Sequence, residues 1–232
     1  LVTRFEREVA TIRSLRHDSC LDVYESGRLQ DGSPFFAMEL LEGEDLKERL
    51  SRTGRMDVAE AMSILQPVCE VLQLAHSRSI VHRDIKASNV YVCTSGRVVL
   101  LDFGIAKFVG GPGMTLTMSR QLVGTPSAMS PEQLRGEDID ARTDVYALGA
   151  LSYHMLTGSR VFSGSSASMI QHLHKHAARP RVSDRVPVGV SIDRLLLSAM
   201  AIERDRRPAD AGEFWEELQA AALGREPDRP DR

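Results

Sequence analysis

A short polar stretch, HRDIKASN at residues 82–89, lies between two apolar segments of the chain. It contains Asp84, Lys86 and Asn89, and Asp102 follows eighteen residues after Asp84 in LLDFGIAK. An ordinary turn needs residues that bend the backbone and has no use for a fixed set of charged and amide groups. Asp84 could accept or orient a proton, and Lys86 could hold an anion. Asn89 and Asp102 offer the hard oxygen ligands that Mg²⁺ prefers.

The elements that must hold these groups follow from the pattern of apolar residues. Two strands are expected near LDVYESGRL and PFFAMEL, joined by the turn QDGS, and a β-hairpin is expected where VYV and RVVLL flank CTSG. We predict a short helix in EGEDLKERL, and residues 57–77 predict an amphipathic helix with Asp57 as its cap and a kink at Pro67.

Further along, residues 144–158 are apolar nearly all round and predict a buried helix ending at Gly158. The last expected helix is DAGEFWEELQAAAL. At the other end, TRFEREVATIRSL predicts a helix that carries Glu8 on its apolar face, where a carboxylate is costly unless a cation meets it. The layout is therefore a small mixed part followed by a mainly helical body, an α+β arrangement.

Composition narrows the class of protein. The chain has 232 residues, 42% of them hydrophobic and 26% charged, and a net charge of −3, so no nucleic-acid partner and no membrane surface is expected. The longest apolar runs are shorter than a membrane span, and no signal peptide opens the chain. Three widely spaced cysteines fit a reducing compartment, which predicts a cytoplasmic location; a membrane tether outside this segment is left open.

The motifs HRDIKASN, DFG at 102–104 and SPE at 130–132, in this order and spacing, resemble the catalytic core of protein kinases, in the style of the bacterial Ser/Thr branch. A polar loop of solvated charges does not explain the joint spacing. The resemblance implies a kinase-like two-lobe α+β fold with an incomplete small lobe over 1–41 and a mainly helical large lobe over 42–222. Residues 223–232 would be a polar linker or tail.

The resemblance also implies a function: transfer of the γ-phosphoryl group of ATP, with Mg²⁺, to Ser or Thr of protein substrates. Catalysis would fall to Asp84, Lys86 and Asn89, and metal binding to Asn89 and Asp102. The residues implied in nucleotide binding are Met38 as gatekeeper, the backbone of Glu39 and Leu41 at the adenine, Asp45 at the ribose, Tyr91 beneath the adenine, and Glu8 as the carboxylate that pairs with a strand lysine.

Regulation and substrate binding are implied in the same way. Lys86 with Thr125 resembles the Ser/Thr-directed pattern, so Thr125 would lie in the substrate loop. Arg83 beside Asp84 is typical of kinases switched on by phosphorylation of an activation loop, with candidate sites at Thr115, Thr117 and Ser119. Self-association for trans-autophosphorylation is a possible consequence. The resemblance further implies structural contacts of Glu132 with Arg207, of Asp144 with the catalytic loop, and of His82 with Phe103.

Two expected parts are missing. No Gly-rich loop precedes residue 80, and the first lysine is Lys47, so we expect the sequence to be truncated at its amino terminus and to be weak or inactive by itself. Two other functions stay open. One is a non-catalytic, pseudokinase-like binding module or scaffold, and the other is a small-molecule phosphotransferase of related fold. The intact set Asp84, Lys86, Asn89 and Asp102 favours the protein kinase.

Overall fold

The structure, a computed structural model, describes residues 15–103 and 128–225. Short 3₁₀ turns cover Ala87–Asn89 and Arg204–Arg206. The other elements are, in chain order, β1 (Val23–Arg28), β2 (Pro34–Met38), β3 (Gly43–Asp45), α1 (Leu46–Thr53), α2 (Val58–His76), β4 (Val90–Cys93), β5 (Val98–Leu100), α3 (Pro131–Arg135), α4 (Ala141–Thr157), α5 (Ala167–His176), α6 (Val190–Ala199) and α7 (Ala211–Ala222).

The first sheet is the predicted antiparallel pair of β1 and β2, in which Arg28 lies opposite Pro34. Gly32 has φ of 83° in the connecting turn, a backbone conformation that glycine adopts without steric cost. This pair lies at the edge of the molecule, and its side chains Tyr24 and Met38 are 66% and 49% exposed. These two strands are the described part of the small lobe.

A second sheet, in the order β3-β4-β5, contains one strand that the sequence did not predict. Gly43–Asp45 was expected to begin a helix, but it pairs antiparallel with β4, Gly43 opposite Cys93. A Cβ atom on Gly43 would lie 2.2 Å from the carbonyl oxygen of Val92, so the close pairing needs glycine. The helix begins only at Leu46, because the Asp45 side chain accepts a hydrogen bond from the Glu48 N–H at 2.8 Å and caps it.

The helical body is built around α4, which is buried over most of its length as predicted. Asp140 caps its start, and Gly158, with φ of 69°, ends it in the left-handed conformation. A Cβ atom on Gly149 would lie 2.9 Å from the Cγ atom of Met200, so helices α4 and α6 approach each other closely at this glycine. Helices α2, α6 and α7 surround α4 and share one hydrophobic core with it.

Helix α2 begins after Asp57, as predicted, and contains Pro67. By length and composition alone it could cross a membrane. Its inner side chains, among them Val68 and Leu72, are fully buried in the hydrophobic core. Core helices of globular domains pass the same test of length and composition.

Candidate active site

The polar stretch 82–89 follows α2 and leads through a 3₁₀ turn into β4. Its charged groups face each other: Lys86 Nζ lies 2.8 Å from Asp84 Oδ2. Asn89 Nδ2 donates to the carbonyl oxygen of Asp84 at 2.8 Å and to Asp84 Oδ2 at 3.2 Å. The side chains of Asp84 and Lys86 are 25% and 28% exposed, so this pair is reachable from solvent yet fixed in place. The three residues predicted to be catalytic therefore form one cluster.

The backbone of this loop is held by a buried carboxylate, Asp144 in the first turn of α4. Asp144 accepts the backbone N–H groups of His82 at 2.7 Å and Arg83 at 2.9 Å. It also accepts from His76 Nε2 at 2.9 Å, and His76 Nδ1 in turn accepts the N–H of Ala211 at 3.3 Å. The predicted anchoring of the loop by Asp144 is confirmed, and the bond from Ala211 extends it to α7.

The buried, neutral ring of His82 holds the loop through hydrogen bonds. Its Nε2–H donates to the carbonyl oxygen of Leu101 at 2.9 Å, and its Nδ1 accepts the N–H of Asp84 at 3.3 Å. Burial lowers the pKa of His82 below its ordinary value, although the carboxylate of Asp144 opposes this shift. The tilted ring of Phe103 contacts the His82 ring, with 4.7 Å between the ring centroids, which is the predicted contact. His82 therefore joins the loop that carries Asp84 to the segment that carries Asp102.

Arg83 has a strained backbone and an exposed side chain. Its φ is 71°, and both of its backbone polar groups are occupied: the N–H by Asp144, and the carbonyl by Gln133 Nε2 at 2.9 Å. Among the described residues, its guanidinium forms no ion pair. Sequence reasoning missed Gln133, whose side chain also completes the capping box of α3. Its partner Arg83 lies 50 residues away, so no local pattern in the sequence indicated this contact.

The side-chain oxygens of Asn89 and Asp102 are the predicted ligands of Mg²⁺. The N–H of Leu101 donates to the carbonyl oxygen of Asn89 at 2.8 Å, which brings the adjacent Asp102 beside Asn89. Asn89 uses its amide nitrogen on Asp84, while its Oδ1 accepts no hydrogen bond within the described ranges. Asp102 is exposed and has φ of 59°. These two hard oxygen ligands fit Mg²⁺, which takes its other ligands from phosphates and water.

The residues predicted to bind the adenine follow β2. Met38 ends the strand, and the N–H of the next residue, Glu39, donates to the carbonyl oxygen of Asp22 at 2.9 Å. The hydroxyl of Tyr91 donates to the carbonyl oxygen of Leu41 at 3.4 Å, so Tyr91 tethers this segment from β4. The Glu39 N–H and the Leu41 carbonyl thus already have partners within the chain.

Asp45, predicted for the ribose, serves as the N-cap of α1, as described above. One of its carboxylate oxygens is engaged with the Glu48 N–H. A carboxylate has a second oxygen that can accept further bonds. Capping the helix fixes the orientation of this side chain, and the ribose contact stays a prediction.

Arg97 is a further residue that sequence reasoning missed. It lies after the β4–β5 turn and donates to both carboxylate oxygens of Glu39, at 2.6 and 2.8 Å. It also donates to the backbone carbonyls of Asp18 at 2.5 Å and Cys20 at 2.9 Å. The hydrogen bonds from Arg97 hold the pKa of the Glu39 carboxyl below its usual range. One guanidinium therefore fixes the segment after β2 to the hairpin.

The predicted contact between Glu132 and Arg207 is a buried ion pair. Arg207 donates to Glu132 at 2.7 and 2.9 Å, and both side chains have no exposed surface. Thr143 adds a hydrogen bond to Glu132 at 2.9 Å. Burial raises the pKa of Glu132, but the hydrogen bonds and charge of Arg207 outweigh burial and leave the pKa below its ordinary value. This pair ties α3 to the chain before α7.

Several predicted site residues lie outside the described residues. They are Glu8, Thr115, Thr117, Ser119 and Thr125. The helix predicted over the opening segment also lies almost wholly outside the described ranges. Their proposed roles therefore stay predictions.

Comparison with known proteins agrees with this geometry. The protein kinase domain family matches residues 2–209. A probable serine/threonine-protein kinase PknB of Corynebacterium glutamicum is 37% identical over 96% of the chain, which covers 35% of that protein. The serine/threonine-protein kinases PknB of Mycolicibacterium smegmatis and Mycobacterium tuberculosis are 33% and 30% identical over 98% of the chain, which covers 37% of each.

The chain therefore belongs to the protein kinase domain family, and the predicted family and fold class are confirmed. The relatives named above are bacterial serine/threonine-protein kinases. The chain spans little more than a third of the length of these curated relatives. Members of this family typically use ATP and Mg²⁺ and act on proteins.

Proposed function

We propose that the protein transfers the γ-phosphoryl group of ATP to Ser or Thr side chains of other proteins. The observation that carries this proposal is the cluster of Asp84, Lys86 and Asn89 on one clamped loop. Phosphoryl transfer asks for positioning and electrostatic stabilisation more than for covalent chemistry. A loop fixed at its backbone by Asp144 meets the first requirement, because its side chains are held before a substrate binds.

Each group has a distinct role. The acceptor hydroxyl donates its hydrogen bond to Asp84, which orients it and takes its proton as the new P–O bond forms, while the bond from the γ-phosphorus to the bridging oxygen breaks and ADP leaves. Lys86 places a positive charge 2.8 Å from the Asp84 carboxylate, where charge on the transferred group can be stabilised. Asn89 holds the Asp84 side chain through Nδ2, and its Oδ1 together with the Asp102 carboxylate would hold Mg²⁺. Bound Mg²⁺ would supply charge neutralisation at the phosphates of ATP.

The adenine would lie against the segment Met38–Leu41, above Tyr91, with Asp45 near the ribose. The fixation of Glu39 by Arg97 and of Leu41 by Tyr91 supports this placement, because a binding edge is useful only if it is rigid. Glu8 would pair with the strand lysine of the small lobe. Thr125 would contact the substrate beside Lys86.

We also propose a cytoplasmic location. All three cysteines are free and buried, and burial raises the pKa of Cys20 to about 11. Free thiols of this kind fit a reducing compartment. The test applies a membrane-impermeant thiol reagent first to whole cells and then to cells that have been lysed and denatured, so that buried thiols can react. Labelling of the cysteines only in the second sample supports reduced thiols inside the cell.

The activity is tested with the full natural protein that contains this chain, using radiolabelled ATP, Mg²⁺ and a Ser/Thr protein substrate. Asp84→Asn should lower the rate by about 10²–10⁴-fold while binding of Mg-ATP persists. The matched control Asp184→Asn removes an exposed carboxylate outside the site and should keep the rate. Turnover at the wild-type level in Asp84→Asn would show that this carboxylate is not the base. A wild-type protein that binds partners without transferring phosphate would instead favour a non-catalytic binding module.

A further inference from the structure

A cleft beside the catalytic loop is not explained by the roles given above. It has a volume of about 110 Å³ and adjoins Lys86, Ala87 and Ser88. On the same measure a single water needs about 10–15 Å³, so the cleft has room for the end of a side chain. Its far wall is formed by α4, including His154, and by Arg160 just after that helix, and Lys47 of α1 completes it.

The charged side chains that line this cleft are all cationic, and we call it the basic cleft. Lys47, Lys86 and Arg160 line it, and no carboxylate is among its described lining residues. Lys47 and Arg160 are exposed, and neither forms an ion pair with any residue in 15–103 or 128–225. Burial lowers the pKa of His154, and the charge of Arg160 lowers it further, so its ring is a neutral hydrogen-bonding group.

The position of the basic cleft separates it from the proposed nucleotide site. Lys86 borders both, since its ammonium group lies 2.8 Å from Asp84. The residues proposed to hold adenine and Mg²⁺, namely Met38, Glu39, Leu41, Tyr91, Asn89 and Asp102, do not line the cleft. Ala128, the first described residue after the segment 104–127, does line it. The cleft therefore lies beside the catalytic loop and apart from the residues proposed to hold the nucleotide.

We infer that the basic cleft binds an anionic side chain of the protein substrate, a carboxylate or a phosphoryl group, close to the Ser or Thr that is phosphorylated. The inference rests on the proposed kinase activity and names its substrate class. Because an extended chain rises about 3.3 Å per residue, a side chain in a cleft bordered by Lys86 belongs to a residue a few positions from the acceptor. Lys47 and Arg160 would select the anion, while the neutral His154 could donate a hydrogen bond to it.

The first experiment measures kcat/KM of the full natural protein on a peptide with one Ser or Thr. Aspartate, phosphoserine, alanine or arginine is placed in turn from about four residues before the acceptor to about four after it, the span set by the rise per residue. At one or two positions we expect aspartate to exceed alanine by about tenfold, the effect of one charge-assisted hydrogen bond, and arginine to fall below alanine. The phosphoserine arm distinguishes a phosphoryl site from a carboxylate site.

Variants then assign the preference to the basic cleft. In Arg160→Glu and in Lys47→Glu, the ratio of kcat/KM for aspartate over alanine should fall to about one or invert, because the introduced charge repels the anion. Arg181→Glu makes the same charge change at an exposed position outside the cleft, and its ratio should stay at the wild-type value. A wild-type ratio of about one at every position, or an unchanged ratio in both cleft variants, overturns the inference while leaving the kinase activity intact.

A binding measurement keeps the test independent of catalysis. Fluorescence anisotropy compares labelled acidic and neutral peptides that carry alanine in place of the acceptor. Tighter binding of the acidic peptide, lost in Arg160→Glu and weakened by salt, supports the basic cleft even if no peptide is phosphorylated. Equal binding of both peptides overturns it, as does competitive displacement of the acidic peptide by Mg-ATP, since the cations would then belong to the nucleotide site.

Discussion

The Arg97 guanidinium donates hydrogen bonds to both carboxylate oxygens of Glu39, with N···O distances of 2.6 and 2.8 Å. The two residues are 58 positions apart in the sequence. Glu39 is 14% and Arg97 31% exposed at the side chain, so the pair is partly shielded from water. Such a bidentate contact fixes orientation as well as distance. The contact between Arg97 and Glu39 therefore fixes the segment proposed to face the adenine against the hairpin that carries Tyr91.

The first prediction concerns this pair. Arg97→Met should raise the KM for ATP several-fold and lower stability by about 1–3 kcal/mol, because the Glu39 carboxylate loses its partner in a partly buried place. Nucleotide titration and urea denaturation measure the two effects. Arg181→Met serves as the control. A double-mutant cycle that combines Arg97→Met with Glu39→Gln should give a coupling free energy of about 0.5–3 kcal/mol. A value near zero would show that the contact does not contribute to stability.

A second prediction separates the two functions of Asn89. Asn89→Asp replaces the amide donor with a carboxylate 3.2 Å from Asp84 Oδ2, so the two carboxylates repel each other. We expect activity to fall by about 10–100-fold and the dependence of the rate on Mg²⁺ concentration to shift. Rates measured over a Mg²⁺ series at fixed ATP test this. An unchanged Mg²⁺ dependence would remove Asn89 from the metal site.

A third prediction concerns the buried pair of Glu132 and Arg207. Arg207→Met leaves a buried carboxylate without its cation and should destabilise the domain by about 3–5 kcal/mol. Adding Glu132→Gln should recover part of this loss, since the uncompensated charge is gone. Urea denaturation of the two single variants and the double variant provides the measurement. A double variant less stable than Arg207→Met would contradict the electrostatic explanation.

A fourth prediction concerns pH. Burial lowers the pKa of His82 in the folded protein. As pH falls, the unfolded chain therefore binds a proton at His82 at a higher pH than the folded protein does. The stability due to neutral His82 is therefore complete above about pH 6.5 and is lost as pH falls below that value. The loss approaches about 1.4 kcal/mol per pH unit for one histidine. His154, whose pKa burial also lowers, acts in the same direction.

Denaturation of His82→Phe between pH 5 and 8 tests this dependence. The variant is expected to be less stable overall, because two hydrogen bonds are lost, but its stability should depend less steeply on pH. The exposed His172→Gln is the matched control and should keep the wild-type slope. Identical slopes in His82→Phe and wild type would mean that His82 does not titrate in this range.

A fifth prediction concerns regulation. We expect autophosphorylation, through association of two copies, at Thr115, Thr117 or Ser119, with the exposed guanidinium of Arg83 receiving the phosphate. Arg83→Gln should then respond less to phosphorylation than wild type. Mass spectrometry of the active protein identifies the modified residues. Full activity with this loop unmodified would contradict the prediction.

The sequence was sufficient to predict most elements and the three side chains that meet on the loop. Asp84, Lys86 and Asn89 belong to a motif whose spacing is read directly, and Asp57 and Gly158 mark helix ends by local rules. The start of α4 was expected at residue 144, whereas Asp140 caps the helix at Ala141. Local rules failed at Gly43–Asp45, because a three-residue strand depends on its distant partner β4 and not on its own pattern. Arg97 and Gln133 escaped for the same reason, since their partners lie 58 and 50 residues away.

The hydrogen bond from Ala211 to His76 spans 135 residues, and His76 reaches Asp144 across another 68. Contacts of such long sequence separation form late, because the intervening chain must first be ordered. During synthesis the helical core can begin to form around α2 before α7 exists. His76, which donates to the carboxylate that clamps the catalytic loop, receives its own hydrogen bond from Ala211 only after the first residue of α7 has been translated. A ribosome-bound chain that ends before residue 211 therefore carries the catalytic side chains but lacks this last support of His76.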